Sequence, residues 1–182
     1  MLAQQRSVAV PLPLRLAATV SRRIPIRGRS RVAWRLQKFA TRRDWASHAV
    51  WRVPMWWGGT ATLPSGSRQS WEAAFTGTYD TAEIRFLRRF IEPQSLIIDV
   101  GACLGLYSVP LALVAGSVDA RVLAIEPVPA NVQVLTANLR ANEVQKVATV
   151  SGIAVGAREG IVDLRVESRQ GGNGAIADLL EE

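Results

Sequence analysis

The segment SLIIDVGA, residues 95–102, constrains the fold more than any other part of the chain. It is an apolar run of strand length that carries one carboxylate, Asp99, and ends on two small residues. A second apolar, helix-like segment follows at residues 104–115. A strand apolar on both faces is what a parallel sheet covered by helices requires. The same grammar then repeats. RVLAIEP, residues 121–127, reads as a second strand, and residues 129–142 read as a helix with Val132, Leu135 and Leu139 on one stripe. Residues 147–155 read as a third strand. Residues 160–167, where Val162, Leu164 and Val166 alternate with Asp163, Arg165 and Glu167, read as a fourth. Ahead of all this, residues 78–91 place Ile84, Leu87 and Ile91 at i, i+3 and i+7, with Phe90 beside them, and stop at Pro93, as a helix with one apolar face would. Alternating helices and strands predict the α/β class, here the first half of a Rossmann-like doubly wound sheet. Pro110 inside residues 104–115 predicts a kink or a late helix start, because its ring meets the carbonyl of Leu106.

The rest of the chain has another composition. Residues 1–70 hold 13 basic residues and a single acid, Asp44, whereas residues 71–182 hold 9 basic residues and 14 acids. All six tryptophans (Trp34, Trp45, Trp51, Trp56, Trp57 and Trp71) lie at or before that change of sign. The expected organisation is therefore a basic, Trp-rich extension, residues 1–75, and a partial α/β domain, residues 76–182. Within the extension, Pro11, Pro13, Pro25 and Gly28 predict a loose leader over residues 1–29. Residues 30–49 predict a helix. Residues 51–71 predict strands around turns at Gly58-Gly59 and Pro64-Ser65-Gly66-Ser67, a small hairpin that buries its indoles.

Composition also excludes. With Cys103 the only cysteine and His48 the only histidine, neither a disulfide nor a Cys/His zinc site is available. No apolar stretch reaches the roughly 20 residues of a membrane span. The apolar run at residues 8–20 is broken by Pro11, Pro13 and Arg15 and followed by no cleavage site, so the expected location is cytoplasmic. Of the 22 basic residues 20 are Arg. The basic segment reads first as a solvated arm and second as a surface for an anionic partner. Peripheral membrane contact is the leading form of that second reading and nucleic acid is not favoured. Residues 30–43 allow an amphipathic reading, with Val32, Leu36 and Phe39 on one stripe among Arg31, Arg35, Lys38, Arg42 and Arg43.

In a doubly wound sheet, ligands bind outside the carboxyl ends of the strands, so the residues just after each apolar run carry the chemistry. After the first strand comes Asp99-Val-Gly-Ala-Cys-Leu-Gly105, where Gly101 and Ala102 permit close backbone approach and a helix N-terminus offers N–H groups to an anion. After the second strand comes Glu126, placed to accept the hydroxyls of a ribose. This pair serves nicotinamide dinucleotides and S-adenosyl-L-methionine alike. The spacing decides between them: a dinucleotide fingerprint wants G-x-G-x-x-G, and from Gly101 the second and third glycine positions hold Cys103 and Leu106. Cys103 itself reads as a small buried apolar residue and not as a nucleophile.

GTY (77–79) ahead of a helix, IIDVGACLGLYSVPLAL, VLAIEPVPANVQVLTANLRAN and VSGIAVGAREGIVDL together resemble the FkbM-type methyltransferases, a branch of the class I S-adenosylmethionine-dependent enzymes. The resemblance covers residues 76–174. It implies S-adenosyl-L-methionine as cofactor and methyl transfer to an oxygen of a small-molecule or glycan acceptor. By position it implies that Asp99, Gly101, Ala102, Cys103 and Gly105 line the cofactor's amino acid end, that Glu126 holds the ribose with Pro127 shaping the turn, and that Ala154 or its neighbours face the adenine. Tyr79 and Glu83 reach the cofactor from the preceding helix. It assigns no catalytic base. Two departures stand out: the family has Asn where this chain has Cys103, and it continues past the position of Glu182 with further strands. From the second departure comes the expectation of a C-terminally truncated domain, whose alternative functions are an inactive cofactor-binding fragment or a basic module for anionic surfaces.

Overall fold

The computed structural model describes residues 8–23, 28–40, 49–166 and 174–176. The chain divides into two compact units, one running through Tyr79 and one from Asp80.

In the first unit, β1 (Val8–Ala9) pairs in parallel with β2 (Ala49–Pro54), and β2 pairs antiparallel with β3 (Thr60–Pro64). The hairpin between β2 and β3 turns at Gly58, whose φ of 91° needs a glycine, and the N–H of Met55 donates to Gly59 O. Strand alternation sorts the side chains: Trp51, Val53, Ala61 and Leu63 are buried while Arg52, Pro54 and Thr60 face out. Helix α3 (Arg68–Thr76) is capped at both ends. Ser67 Oγ accepts from Ser70 N, and Gly77 closes the C-terminus in the left-handed conformation with its N–H on Ala73 O. Trp71 is wholly buried on this helix, its Nε1 donating to Ser65 O at 2.7 Å. Trp51 meets it edge-on at 5.1 Å, and Phe75 stacks against it. Helices α1 (Leu12–Arg23) and α2 (Arg29–Ala40) pack on α3.

The hairpin and the buried indoles of Trp51 and Trp71 match expectation, but two readings are corrected. Residues 12–23 form a helix where a loose leader was expected, because Pro11 and Pro13 sit at its start, where a missing N–H costs nothing. Trp71 lies on a helix, since Ser67 supplies a cap that outweighs the turn-like Pro64-Ser65-Gly66-Ser67 run. The predicted helix of residues 30–49 is seen as Arg29–Ala40; residues 41–48, with Trp45 and His48, lie outside the described residues.

In the second unit, α4 (Thr81–Leu87) and a 3-10 turn at Arg88–Phe90 lead into β4 (Leu96–Val100), α5 (Ser108–Ala115), β5 (Arg121–Ile125), α6 (Pro129–Ala141) and β6 (Ala148–Ser151). The three strands form one parallel sheet in the order β4-β5-β6, with Asp99 opposite Ala124 and Ile125 opposite Ser151. The fold is half of a Rossmann-like sheet. Helix α5 starts late, at Ser108, so that Pro110 stands in the first turn, where it removes no helical hydrogen bond.

Two further expectations are corrected. Strand β4 is not covered on both faces: Leu96, Ile98 and Val100 point to one face and are 59%, 55% and 60% exposed, because among the described residues no helix packs extensively on that face. The predicted fourth strand is shorter, β7 (Leu164–Val166), and pairs antiparallel with β8 (Gly174–Ile176) in a separate two-stranded ribbon. Its strict alternation was the signal, since a buried parallel strand would be apolar at successive positions. Among the described residues, no helix is long and apolar enough to cross a membrane.

Candidate functional site

The carboxyl ends of β4 and β5 are tied together by the loop that follows β4. The N–H groups of Gly101 and Ala102 both donate to Ile125 O at 2.9 Å, so the loop crosses the end of β5 instead of running straight into a helix. That path needs left-handed backbone at alternate residues: Gly101 has φ 78°, Cys103 φ 48° and Gly105 φ 82°. The two glycines do different work. A Cβ on Gly101 would meet nothing within 4 Å, whereas one on Gly105 would stand 2.7 Å from Leu135 Cδ1 on α6. Gly101 therefore opens a space, and Gly105 lets the loop lie against α6.

Glu126 is buried directly beyond β5 and its carboxylate joins the loops. Oε2 accepts from Cys103 N at 2.9 Å, and Oε1 accepts from Val128 N at 2.9 Å and from Asn131 Nδ2 at 3.1 Å. Three of the four acceptor positions of a carboxylate are thus filled from within. Pro127, half-buried, separates Glu126 from the Val128 N–H that its own side chain captures. Asn138, fully buried on α6, donates to Leu104 O at 2.8 Å and holds the far end of the same loop. Asn142 is the residue that closes the helix, with its Nδ2 on Asn138 O at 2.7 Å.

Asp99 is the second carboxylate of the site. Its Oδ2 accepts a short hydrogen bond from Ser108 Oγ, and the Ser108 N–H also points to it, so Asp99 caps the first residue of α5. The helix N-terminus expected to bind an external anion is engaged by the protein's own carboxylate. Burial pushes the Asp99 pKa up, with Glu126 adding to the rise and the Ser108 bonds opposing it. The Cys103 thiol is pushed up to about 11, by burial first and by Glu126 second, which leaves it protonated and unreactive at neutral pH.

Beside Asp99 opens a cavity of about 250 Å³ with apolar walls from Leu87, Phe90, Ile91, Ile97, Ile98 and Leu111, and with Asp99 and Tyr107 as its polar groups. Tyr107 Oη lies 2.7 Å from Glu83 Oε2 and 3.1 Å from Asp80 Oδ2, so its single proton is shared between two carboxylates. Burial first, and then these acids, hold its pKa above the usual phenol value. Ser108, Tyr107, Asp80 and Asn131 had no assigned role in the sequence. Asn131 was within reach of one, as the last residue of the E-P-x-P-x-N run.

The structure brings Asp99, Gly101, Ala102, Cys103, Glu126 and Pro127 to one edge of the sheet. Gly105 belongs to the same loop but faces α6 rather than open space. Ala154 is half-buried in the irregular segment after β6, which ends at Ser151 and not at Val155 as expected. Glu83 is engaged by Tyr107. Tyr79 belongs to the first unit, where Gln69 Nε2 donates to its Oη at 2.9 Å. Trp56 and Trp57 sit half-buried at the β2–β3 turn, edge to face at 6.1 Å. Among the described residues, no cluster of His, Cys, Asp or Glu is placed to hold a metal ion.

No family model matches the chain, and no curated protein matches it. Solved structures that match include a candidate transferase from Pyrococcus horikoshii, with a TM-score of 0.45 and 20% identity over 58% of this chain and 36% of that one. They also include a candidate rRNA methylase from Clostridium thermocellum, with a TM-score of 0.36 and 14% identity over 41% of this chain and 39% of that one. The chain therefore spans less than two thirds of either structure.

Proposed function

We propose that the second unit is a class I methyltransferase domain of the FkbM type, that it binds S-adenosyl-L-methionine at the Gly101 loop, and that the acceptor is a hydroxyl of a small molecule or glycan. The observation that carries this reading is the pairing of an open glycine, Gly101, with two converging carboxylates, Asp99 and Glu126, at the carboxyl ends of adjacent parallel strands. The residues fit the group. The space in front of Gly101 admits a ligand against the backbone, Asp99 offers a poorly solvated negative charge to an ammonium, and Glu126 keeps one acceptor position for a ribose hydroxyl. Burial pushes the Cys103 thiol up to about 11, which disfavours it as a nucleophile.

The cofactor supplies an electrophilic methyl on a sulfonium. Transfer by direct displacement asks the protein chiefly to hold donor and acceptor in line. This chain's contribution is rigidity. Glu126 locks the Gly101 loop to the loop after β5, Asn138 fixes its far end, and Ser108 holds the Asp99 carboxylate in place.

Titration calorimetry with S-adenosylhomocysteine tests the reading. The chain is expected to bind it weakly and to give no heat with NADH. Glu126→Gln puts an amide where Cys103 N needs an acceptor and is expected to weaken binding at least tenfold, the loss of one charge-assisted hydrogen bond of about 1.5–3 kcal/mol. Absence of binding by the wild-type chain, or unchanged affinity in Glu126→Gln, would overturn the proposal.

A further inference from the structure

Helix α1 turns its bulkier aliphatic side chains outward. Its inner side meets α3: Ala18 is buried there, and the Arg22 guanidinium donates to Ala74 O of α3 and, at 3.1 Å, to Thr19 Oγ1. Leu12, Leu16 and Val20, at i, i+4 and i+8, form a stripe on the other side and are 63%, 57% and 52% exposed. A helix that merely covers a core and meets water puts its aliphatic residues inside and its polar residues out. Here that order is reversed over nearly the whole helix. Arg15 on the border of the stripe and Arg23 at its end are exposed as well. Helix α2, linked to α1 by Arg29 Nη1 donating to Ser21 O at 3.2 Å, adds an outer face of exposed cations and Trp34, over whose ring Lys38 Nζ lies at 3.8 Å.

We propose that the outer face of α1 lies on an anionic lipid bilayer, with Leu12, Leu16 and Val20 entering the boundary between headgroups and acyl chains while Arg15 and Arg23 meet the lipid phosphates. Charge complementarity selects this occupant. Residues 1–70 carry 13 basic residues against one acid, a balance that attracts a negative surface and repels a second copy of the same face. The aliphatic stripe separates lipid from nucleic acid, whose backbone rewards cations and gains nothing from exposed Leu and Val. The sequence alone placed the amphipathic character at residues 30–43; in the structure the aliphatic ridge is on α1, and α2 supplies charge.

Vesicle flotation with the full chain is the test, comparing phosphatidylcholine vesicles with vesicles that also contain phosphatidylserine, at physiological ionic strength. Binding is expected to the anionic vesicles alone and to be released by high salt. Two variants alter only exposed side chains, and circular dichroism verifies that they fold. The triple variant Leu12→Ser, Leu16→Ser, Val20→Ser is expected to lose at least tenfold in affinity. The double variant Arg15→Gln, Arg23→Gln is expected to lose roughly 25-fold, about fivefold per charge. Failure of the wild-type chain to bind anionic vesicles overturns the proposal, as does a serine triple variant that binds like wild type. Salt-sensitive binding to duplex RNA or DNA that survives the serine substitutions, with vesicles left unbound, would assign the surface to nucleic acid and overturn it equally.

Discussion

Gly101 and Gly105 lie in one loop with nearly the same backbone conformation, φ 78° and 82°, yet the structure gives them opposite roles, and replacing each by alanine separates those roles. Both substitutions force a Cβ into the left-handed region, at roughly 1–2 kcal/mol. In Gly101→Ala that is the whole cost, because the new methyl meets nothing within 4 Å. In Gly105→Ala the methyl arrives 2.7 Å from Leu135 Cδ1, with Leu135 Cα at 3.9 Å and Val109 Cγ2 at 3.7 Å. Leu135 is wholly buried, so its Cδ1 can give way only by displacing the side chains packed around it, and an overpacking cost of about 1–3 kcal/mol is added. Gly105→Ala is therefore expected to lose about 2–5 kcal/mol, against about 1–2 for Gly101→Ala. Urea unfolding followed by far-UV circular dichroism measures both. Tryptophan fluorescence provides an internal reference, because all six indoles lie between Trp34 and Trp71 and none is in the second unit. The ligand-binding assay should reverse the order: under native conditions Gly101→Ala, whose methyl fills the space before the loop, abolishes S-adenosylhomocysteine binding while the domain stays folded. Equal stability losses in the two variants would refute the assignment of faces, and so would wild-type affinity in Gly101→Ala.

Two other predictions concern the titrating groups of the site. With its pKa pushed from 9.0 to about 11, Cys103 in the native chain should react with iodoacetamide at pH 8 about 100-fold more slowly than in the urea-unfolded chain, as read by mass spectrometry; comparable rates would mean that the thiol is not desolvated. Because the native thiol favours its neutral form, the stability this group contributes is complete below pH 9 and falls as the pH rises toward 11. Asp99→Asn should raise the urea midpoint at pH 7, since burial disfavours the carboxylate and the Ser108 hydroxyl can donate to an amide oxygen instead. The gain should shrink as the pH falls through the raised pKa of folded Asp99 and be gone below about 4, where Asp99 is neutral in both the folded and unfolded chain, while cofactor binding is lost throughout. A lower midpoint at pH 7 would show that Asp99 serves stability first.

The parallel sheet was legible because LII and VLAI are apolar at successive positions over strand length, and β4 and β5 follow them closely, although the burial on both faces that such runs announce is absent at β4. The first 40 residues were less legible, because Pro11, Pro13 and Pro25 interrupt any sustained period while α1 is held by a long-range contact, Arg22 to Ala74, that no local pattern announces. The same limit produced the error at β7. Its alternation signals a ribbon with one solvated face, and the partner strand β8 follows a glycine-rich run with no strand signal of its own.

The sequence put Asp99 and Glu126 at the carboxyl ends of adjacent strands, where the structure has them, but could not say what each one already binds. Glu126 reads as a ligand residue because it stands just after an apolar strand, where a doubly wound sheet binds its ligands. The structure supplies three internal donors, Cys103 N, Val128 N and Asn131 Nδ2, so the carboxylate would be satisfied with no ligand at all. This changes how its variants must be read. Removing the charge releases the Gly101 loop from the loop after β5, and affinity falls through lost preorganisation as well as through a lost contact. The two contributions part in one comparison. Asn131→Ala leaves Cys103 N and Val128 N on the carboxylate and frees an acceptor position, so it should preserve or strengthen hydroxyl binding if Glu126 touches the ligand. If Glu126 acts only by bracing the loops, the same substitution loosens one brace and weakens binding.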